Sequence, residues 1–131
     1  MSAALYPRFD QVQALLGEYY DALYHLDVAR LAEVFHPKAQ YFTVQDGELL
    51  HLDMPTYLPI VAARESPHQR GEAYRMELES IEFAGPHSAF ARLRCSLFGK
   101  HYIDLLSLLY LDQRWRIVSK VFDSTESSES L

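Results

Sequence analysis

The sequence predicts an α+β fold: three N-terminal helices packed on a strongly curved, mostly antiparallel six-stranded sheet that forms a cone with a pocket. Three observations carry this. Apolar residues near the amino end recur at three- and four-residue spacing. Residues 87–122 read as three strand runs broken only by the short polar turns Gly99-Lys100-His101 and Asp112-Gln113-Arg114. The predicted order is helix, helix, strand, strand, helix and then four strands. Helices and hairpins kept apart in this way argue for an antiparallel sheet covered on one face rather than for βαβ units.

The elements follow in order. Over residues 8–26, Val12, Leu15, Leu16, Tyr19, Tyr20, Leu23 and Leu26 form one apolar stripe of a helix. Asp27 is placed to cap a second helix, Val28 to Phe35, which ends at His36-Pro37 because the residue before proline is pushed out of the α region. Ala39 to Gln45 is a strand, Asp46-Gly47 a hairpin turn, and Glu48 to Leu52 the returning strand. Asp53 caps a third helix, Met54 to Arg64, with Pro55 tolerated in its first turn. Ser66 to Gly71 is a loop, Glu72 to Phe83 a long strand, and Gly85-Pro86 a turn into the last three strands. Long strands have to twist and curve to cover helices, and a curved sheet closed by helices leaves an open mouth.

Composition narrows the function. A chain of 131 residues is of one-domain size, read here as a domain over 1–123 followed by a disordered acidic tail, 124–131. The net charge of −6, without a Lys/Arg run, argues against nucleic acid as a partner. No signal peptide and no membrane-length apolar run are visible, so a cytoplasmic, membrane-free protein is expected. Cys95 is single, so no internal disulfide is expected, and its strand position suggests a buried, inert thiol. Neither a metal site nor a cofactor is expected: His25, Asp27 and His36 are too far apart, and His51, His68, His87 and His101 fall mainly near turns and strand ends. Nine Tyr and seven Phe against one Trp suit a pocket or an interface as well as a core.

The motifs Tyr19-Tyr20-Asp-Ala-Leu, Asp27 opening a helix, Phe35-His36-Pro37-Lys-Ala39 and Trp115-Arg-Ile-Val resemble the nuclear transport factor 2-like superfamily, which includes ketosteroid isomerase, scytalone dehydratase and SnoaL-like cyclases. Asp46-Gly47-Glu-Leu, Tyr102-x-Asp104-x-Leu106-x-Leu108 and Trp115-x-Ile117-Val-x-Lys120-x-Phe122 make the small proteins grouped as "Putative lumazine-binding" the nearest resemblance. It covers about residues 8–123. It implies a cone-shaped ligand pocket and leaves three functions open: a small-molecule binder, a SnoaL-like cyclase, isomerase or dehydratase acting on a small aromatic or polyketide-like substrate, or a non-enzymatic dimerisation module. Carried over from ketosteroid isomerase, Tyr19 falls at the oxyanion tyrosine, Thr43 at the carboxylate base and Ser107 at the neutral acid. Two of the three required groups are then missing, and steroid isomerisation is not expected.

Strand parity sorts the remaining candidates. Placing Ser107 inside pairs it with Lys120, and Leu105 with Phe122, on the concave face. A bulge at Gln113-Arg114 reverses this and sets Lys120 beside Asp104. The first register is adopted. It gives a ligand pocket of Tyr19, Phe35, Phe42, Thr43, Tyr57, Ser107, Lys120 and Phe122. Lys120 then anchors an anionic or carbonyl-bearing small molecule, makes a salt bridge to Asp104 or Glu77, or lies at an exposed edge. The same register turns Tyr102, Asp104, Leu106, Leu108, Tyr110 and Val121 outward, as the contact face of a homodimer. Arg92 and Arg94 share a face, either recognising a carboxylate or phosphate or pairing with Glu77 and Glu79 on the neighbouring strand.

Overall fold

The computed structural model describes residues 2–126, with side chains from Arg8 onward. The elements are helices α1 (Ser2–His25), α2 (Val28–Val34) and α3 (Met54–Ala62), and strands β1 (Phe35–Gln45), β2 (Glu48–Asp53), β3 (Arg75–Phe83), β4 (Ser88–Leu97), β5 (Lys100–Leu111) and β6 (Arg114–Glu126). The six strands form one open sheet in the order β2-β1-β6-β5-β4-β3. It is mixed: β1 runs parallel to β6, and every other neighbouring pair is antiparallel. The fold is the expected α+β arrangement of three helices on a six-stranded sheet.

α1 buries Val12, Leu16, Tyr19, Tyr20 and Leu23 against the concave face of the sheet. It closes with Leu26 in the left-handed region (φ 52°), and the Asp27 amide donates back to the Ala22 carbonyl at 2.8 Å. Asp27 caps α2 by accepting from the Arg30 amide, and Asp53 caps α3 by accepting from the Thr56 amide. The turns Asp46-Gly47, Phe98-Gly99 and Asp112-Gln113 each hold two successive residues at positive φ, the primed geometry whose twist suits a two-residue hairpin. Gly47, at φ 78°, takes this conformation without a Cβ penalty.

Several boundaries differ from expectation for local reasons. α2 stops at Val34, and Phe35 already begins β1, because His36-Pro37 needs an extended approach. The β4–β5 turn is Phe98-Gly99, so Lys100 and His101 belong to the strand. Residues 72–74 do not join the sheet. The Tyr24 hydroxyl takes the Glu72 carbonyl, and the Tyr20 hydroxyl accepts from the Arg75 amide at 2.8 Å, so α1 rather than β4 satisfies that backbone. Ser124, Thr125 and Glu126, read from sequence as the start of a disordered tail, extend β6 opposite Tyr102, His101 and Lys100. The rest of that tail, 127–131, lies outside the described residues.

The β5–β6 register decides which residues enter the interior, and it is not the register adopted from the sequence. The Asp112-Gln113 turn pairs Leu111 with Arg114, and ladder partners continue to Leu108 with Ile117. The register then shifts, leaving Val118 as an extra residue: Ser107 pairs with Ser119, Leu106 with Lys120 and Asp104 with Phe122. Inward positions on β6 therefore switch from odd numbers, Trp115 and Ile117, to even ones, Lys120 and Phe122.

Candidate functional site

The correction to the register moves two sets of residues. Asp104, Leu106 and Leu108, expected outside, alternate along β5 into the core and are at most 1% exposed. Ser107, expected inside, lies on the convex face with Leu105 and Leu109, and so cannot sit in the cone. Phe42 is outside for the same reason: Tyr41 before it on β1 is buried, while Phe42 stacks on His51 at 4.8 Å. Tyr19, Phe35, Tyr57, Lys120 and Phe122 are all buried inside the cone. Thr43 lies at the cone's edge, its hydroxyl donating to the Phe122 carbonyl at 2.7 Å. Of the expected dimer face only Val121 is on the exposed convex side. Tyr102 lines the cone, and Tyr110 lines a separate groove between α1, α2 and the β5–β6 turn.

Two charged side chains meet in this interior. Asp104 is 1% exposed and Lys120 5% exposed. The Tyr19 hydroxyl, on α1, donates to Asp104 Oδ2 at 2.7 Å, whereas Asp104 Oδ1 is buried without a hydrogen-bond partner among the described residues. The Lys120 ammonium lies over three rings, 5.3 Å from Tyr19, 5.5 Å from Tyr41 and 5.0 Å from Phe122. Among the described residues it makes neither a hydrogen bond nor a direct ion pair. A buried ammonium has three protons to place, and here it lies over rings with the Asp104 carboxylate across the same small cavity but not in contact, so a group with a free oxygen lone pair has an unfilled role beside it.

The space around these groups has two parts. An inner cavity of about 10 Å³, bordered by Asp104, Lys120, Leu23, Tyr41, Tyr57 and Tyr102, has room for one water-sized group. An outer cavity of about 540 Å³ opens at the mouth between β1, β2, α3 and β5. Tyr41, Tyr57, Arg64 and Tyr102 border both, so the two spaces are adjacent. Arg64 is held at the rim over the Phe98 ring at 4.9 Å, and Lys100 lines the outer part. The mouth thus combines aromatic walls with two cations, a setting for a flat ligand bearing oxygen anions.

Burial dominates the titration of this region. It holds the Tyr19 phenol well above its ordinary value, with Asp104 adding to the effect, and it raises the Tyr57 and Tyr41 phenols as well. The Tyr102 phenol is pushed up to about 12 by burial, opposed by Lys120. The Cys95 thiol is raised for the same first reason, which keeps it protonated and unreactive at neutral pH. Outside the cone, Arg92 and Arg94 both donate to Glu79, at 2.7 and 2.6 Å, so their shared convex face is an ion-paired surface.

Tyr41, Arg64 and Lys100 were missed from the sequence. Tyr41 was open to detection, because it shares strand parity with Ala39 and Thr43. Arg64 and Lys100 lie just beyond α3 and at the first position of β5, and only the assembled fold brings them to one rim.

A family model described as "Putative lumazine-binding" matches residues 7–123. Among solved structures, the chain is similar to an NTF2-like protein of unknown function from Shewanella baltica OS155, with a TM-score of 0.82, 20% identity, and 92% of this chain and 96% of that one covered. It is also similar to one from Silicibacter pomeroyi DSS-3, with a TM-score of 0.79, 22% identity, and 92% and 98% covered. A cystatin-like fold protein from Burkholderia xenovorans LB400 matches with a TM-score of 0.69, 17% identity, and 89% and 91% covered. No curated protein matches the chain.

Proposed function

Because the chain belongs to the "Putative lumazine-binding" family within the NTF2-like superfamily, we propose that its cone is a binding site for a small, planar ligand carrying a carbonyl or anionic oxygen. The single observation behind this reading is the Lys120 ammonium, buried at the floor of an aromatic cavity with no hydrogen-bond partner among the described residues. Asp104 Oδ1 adds an acceptor in the same place. A ligand edge with a carbonyl oxygen beside a ring N–H complements both groups, and a lumazine ring, a fused pyrimidinedione, has such an edge. Tyr41, Tyr57 and Tyr102 supply faces for the ring, and Arg64 and Lys100 suit an acidic substituent at the mouth.

Titration calorimetry with lumazine, a pterin and an aromatic carboxylate tests this. Lys120→Met is expected to weaken binding by about 10- to 100-fold, the range for losing one hydrogen bond to a charged group. Unchanged affinity in a folded Lys120→Met protein would remove Lys120 as the anchor.

The same reading keeps a homodimer, through a convex face that shares only Val121 with the one first expected. Phe42, Ile103, Leu105 and Val121 line a groove there, with Val44 and Leu49 exposed at 67% and 71% beside it. Arg92 and Asp123 also border this groove, so two copies related by a twofold axis can bring opposite charges together around an apolar centre. Sedimentation at micromolar concentration should give a dimer for the parent chain and a monomer for Val121→Glu. A parent chain sedimenting as a monomer rejects the assembly and leaves the ligand site untouched.

A further inference from the structure

We infer that Lys120 forms a covalent imine with the carbonyl carbon of a small aromatic aldehyde or ketone, and that Asp104 moves the protons. This rests on the cone being a ligand site, and gives that site a reaction class. An imine-forming lysine needs a dry pocket, a neighbouring group that can take and return a proton, and an approach for the carbonyl. Lys120 is 95% buried beneath the rings of Tyr19, Tyr41 and Phe122. Asp104 borders the same small cavity and has one oxygen, Oδ1, without a partner, while Tyr19 holds the other. The inner cavity of about 10 Å³ takes a carbonyl group but not a ring, so the ring stays in the outer cavity and the reacting group is delivered to the amine. An ammonium placed only for charge balance would sit against the carboxylate, yet no direct ion pair joins Lys120 to Asp104.

The steps balance without a further reactant. One water in the inner cavity carries a proton from the Lys120 ammonium to Asp104 Oδ1 before the carbonyl displaces it, and the freed nitrogen lone pair attacks the carbonyl carbon as the C=O π pair moves to oxygen. A proton passes from nitrogen to that oxygen, giving a carbinolamine. Asp104 then returns its proton to the hydroxyl, the C–O bond breaks as water leaves, and the nitrogen lone pair forms the C=N bond. The net change is ammonium plus carbonyl to protonated imine plus water.

The test uses 4-formylbenzoate as probe, with cyanoborohydride to trap the imine and peptide mass spectrometry to locate it. Of the chain's other lysines, Lys100 lines the outer cavity and belongs to the site, so exposed Lys38 is the internal control. Lys120 is expected to be trapped roughly tenfold faster than Lys38 or more. Asp104→Asn should slow trapping at Lys120 roughly tenfold or more without changing Lys38. Should that variant fail to fold, benzoate competition on the parent chain replaces it, and benzoate should protect Lys120 while leaving Lys38 unprotected. Equal or slower labelling of Lys120 overturns the inference, as does labelling indifferent to benzoate. Benzoate binding seen by calorimetry without selective trapping overturns the imine while leaving the ligand site standing. Neither binding nor trapping removes both.

Discussion

Asp104→Leu is expected to lower the thermal midpoint by about 10–20 °C, corresponding to ~3–5 kcal/mol. The substitution strands two groups at once. The Tyr19 hydroxyl loses its acceptor, 2.7 Å away, and the buried Lys120 ammonium loses the carboxylate that shares its cavity. Leucine is larger than aspartate, so part of the loss is overpacking, and a double-mutant cycle is what isolates the polar coupling. Adding Lys120→Met should recover much of the stability, since replacing both buried charges by apolar groups is often neutral or stabilising. Melting curves of the parent, the two single variants and the double variant close a double-mutant cycle. If the losses simply add, the two charges are energetically independent, and the account of the cone as one coupled polar site is wrong. If the double variant stays stable but no longer binds ligand, the pair is kept for function at a cost in stability.

Leu106→Ala should cost ~2–5 kcal/mol, the range for a core leucine that leaves a cavity. Leu106 is fully buried and lies opposite Lys120 on the β5–β6 ladder. Had the other register held, the residue would sit on the convex face, and its loss would matter mainly through subunit contact. Denaturant titrations at several protein concentrations separate the two cases. An interior loss is the same at every concentration, whereas an interface loss is largest at high concentration and shrinks as dilution turns parent and variant alike into monomers. A loss below ~0.5 kcal/mol would mark Leu106 as a surface residue and restore the register set aside above.

Local rules were sufficient for most of the architecture. The heptad-like spacing of Val12, Leu16, Tyr19 and Leu23 specifies which side of α1 is buried, because a helix of 3.6 residues per turn has no other way to gather those side chains. Asp27, Asp53 and Asp46-Gly47 act over a few residues, so the caps and the first hairpin turn were legible one by one. Alternation along residues 87–122 likewise showed strands, with two faces each. What alternation cannot show is which face is the inner one. The side-chain period in a strand is two, so a shift of one residue exchanges the faces completely. One bulge at Val118 therefore sends Lys120 and Phe122 inward, sets Asp104 opposite Phe122, and leaves Ser107 outside. Neither residue 118 nor its neighbours announce that bulge. It satisfies two demands at once: a two-residue turn at Asp112-Gln113, and the parallel pairing of Tyr41 and Phe42 on β1 with Lys120 and Val121 on β6. Those partners are about eighty residues apart in sequence, so the inward turn of Lys120 is decided only when β1 and β6 pair side by side in the middle of the sheet.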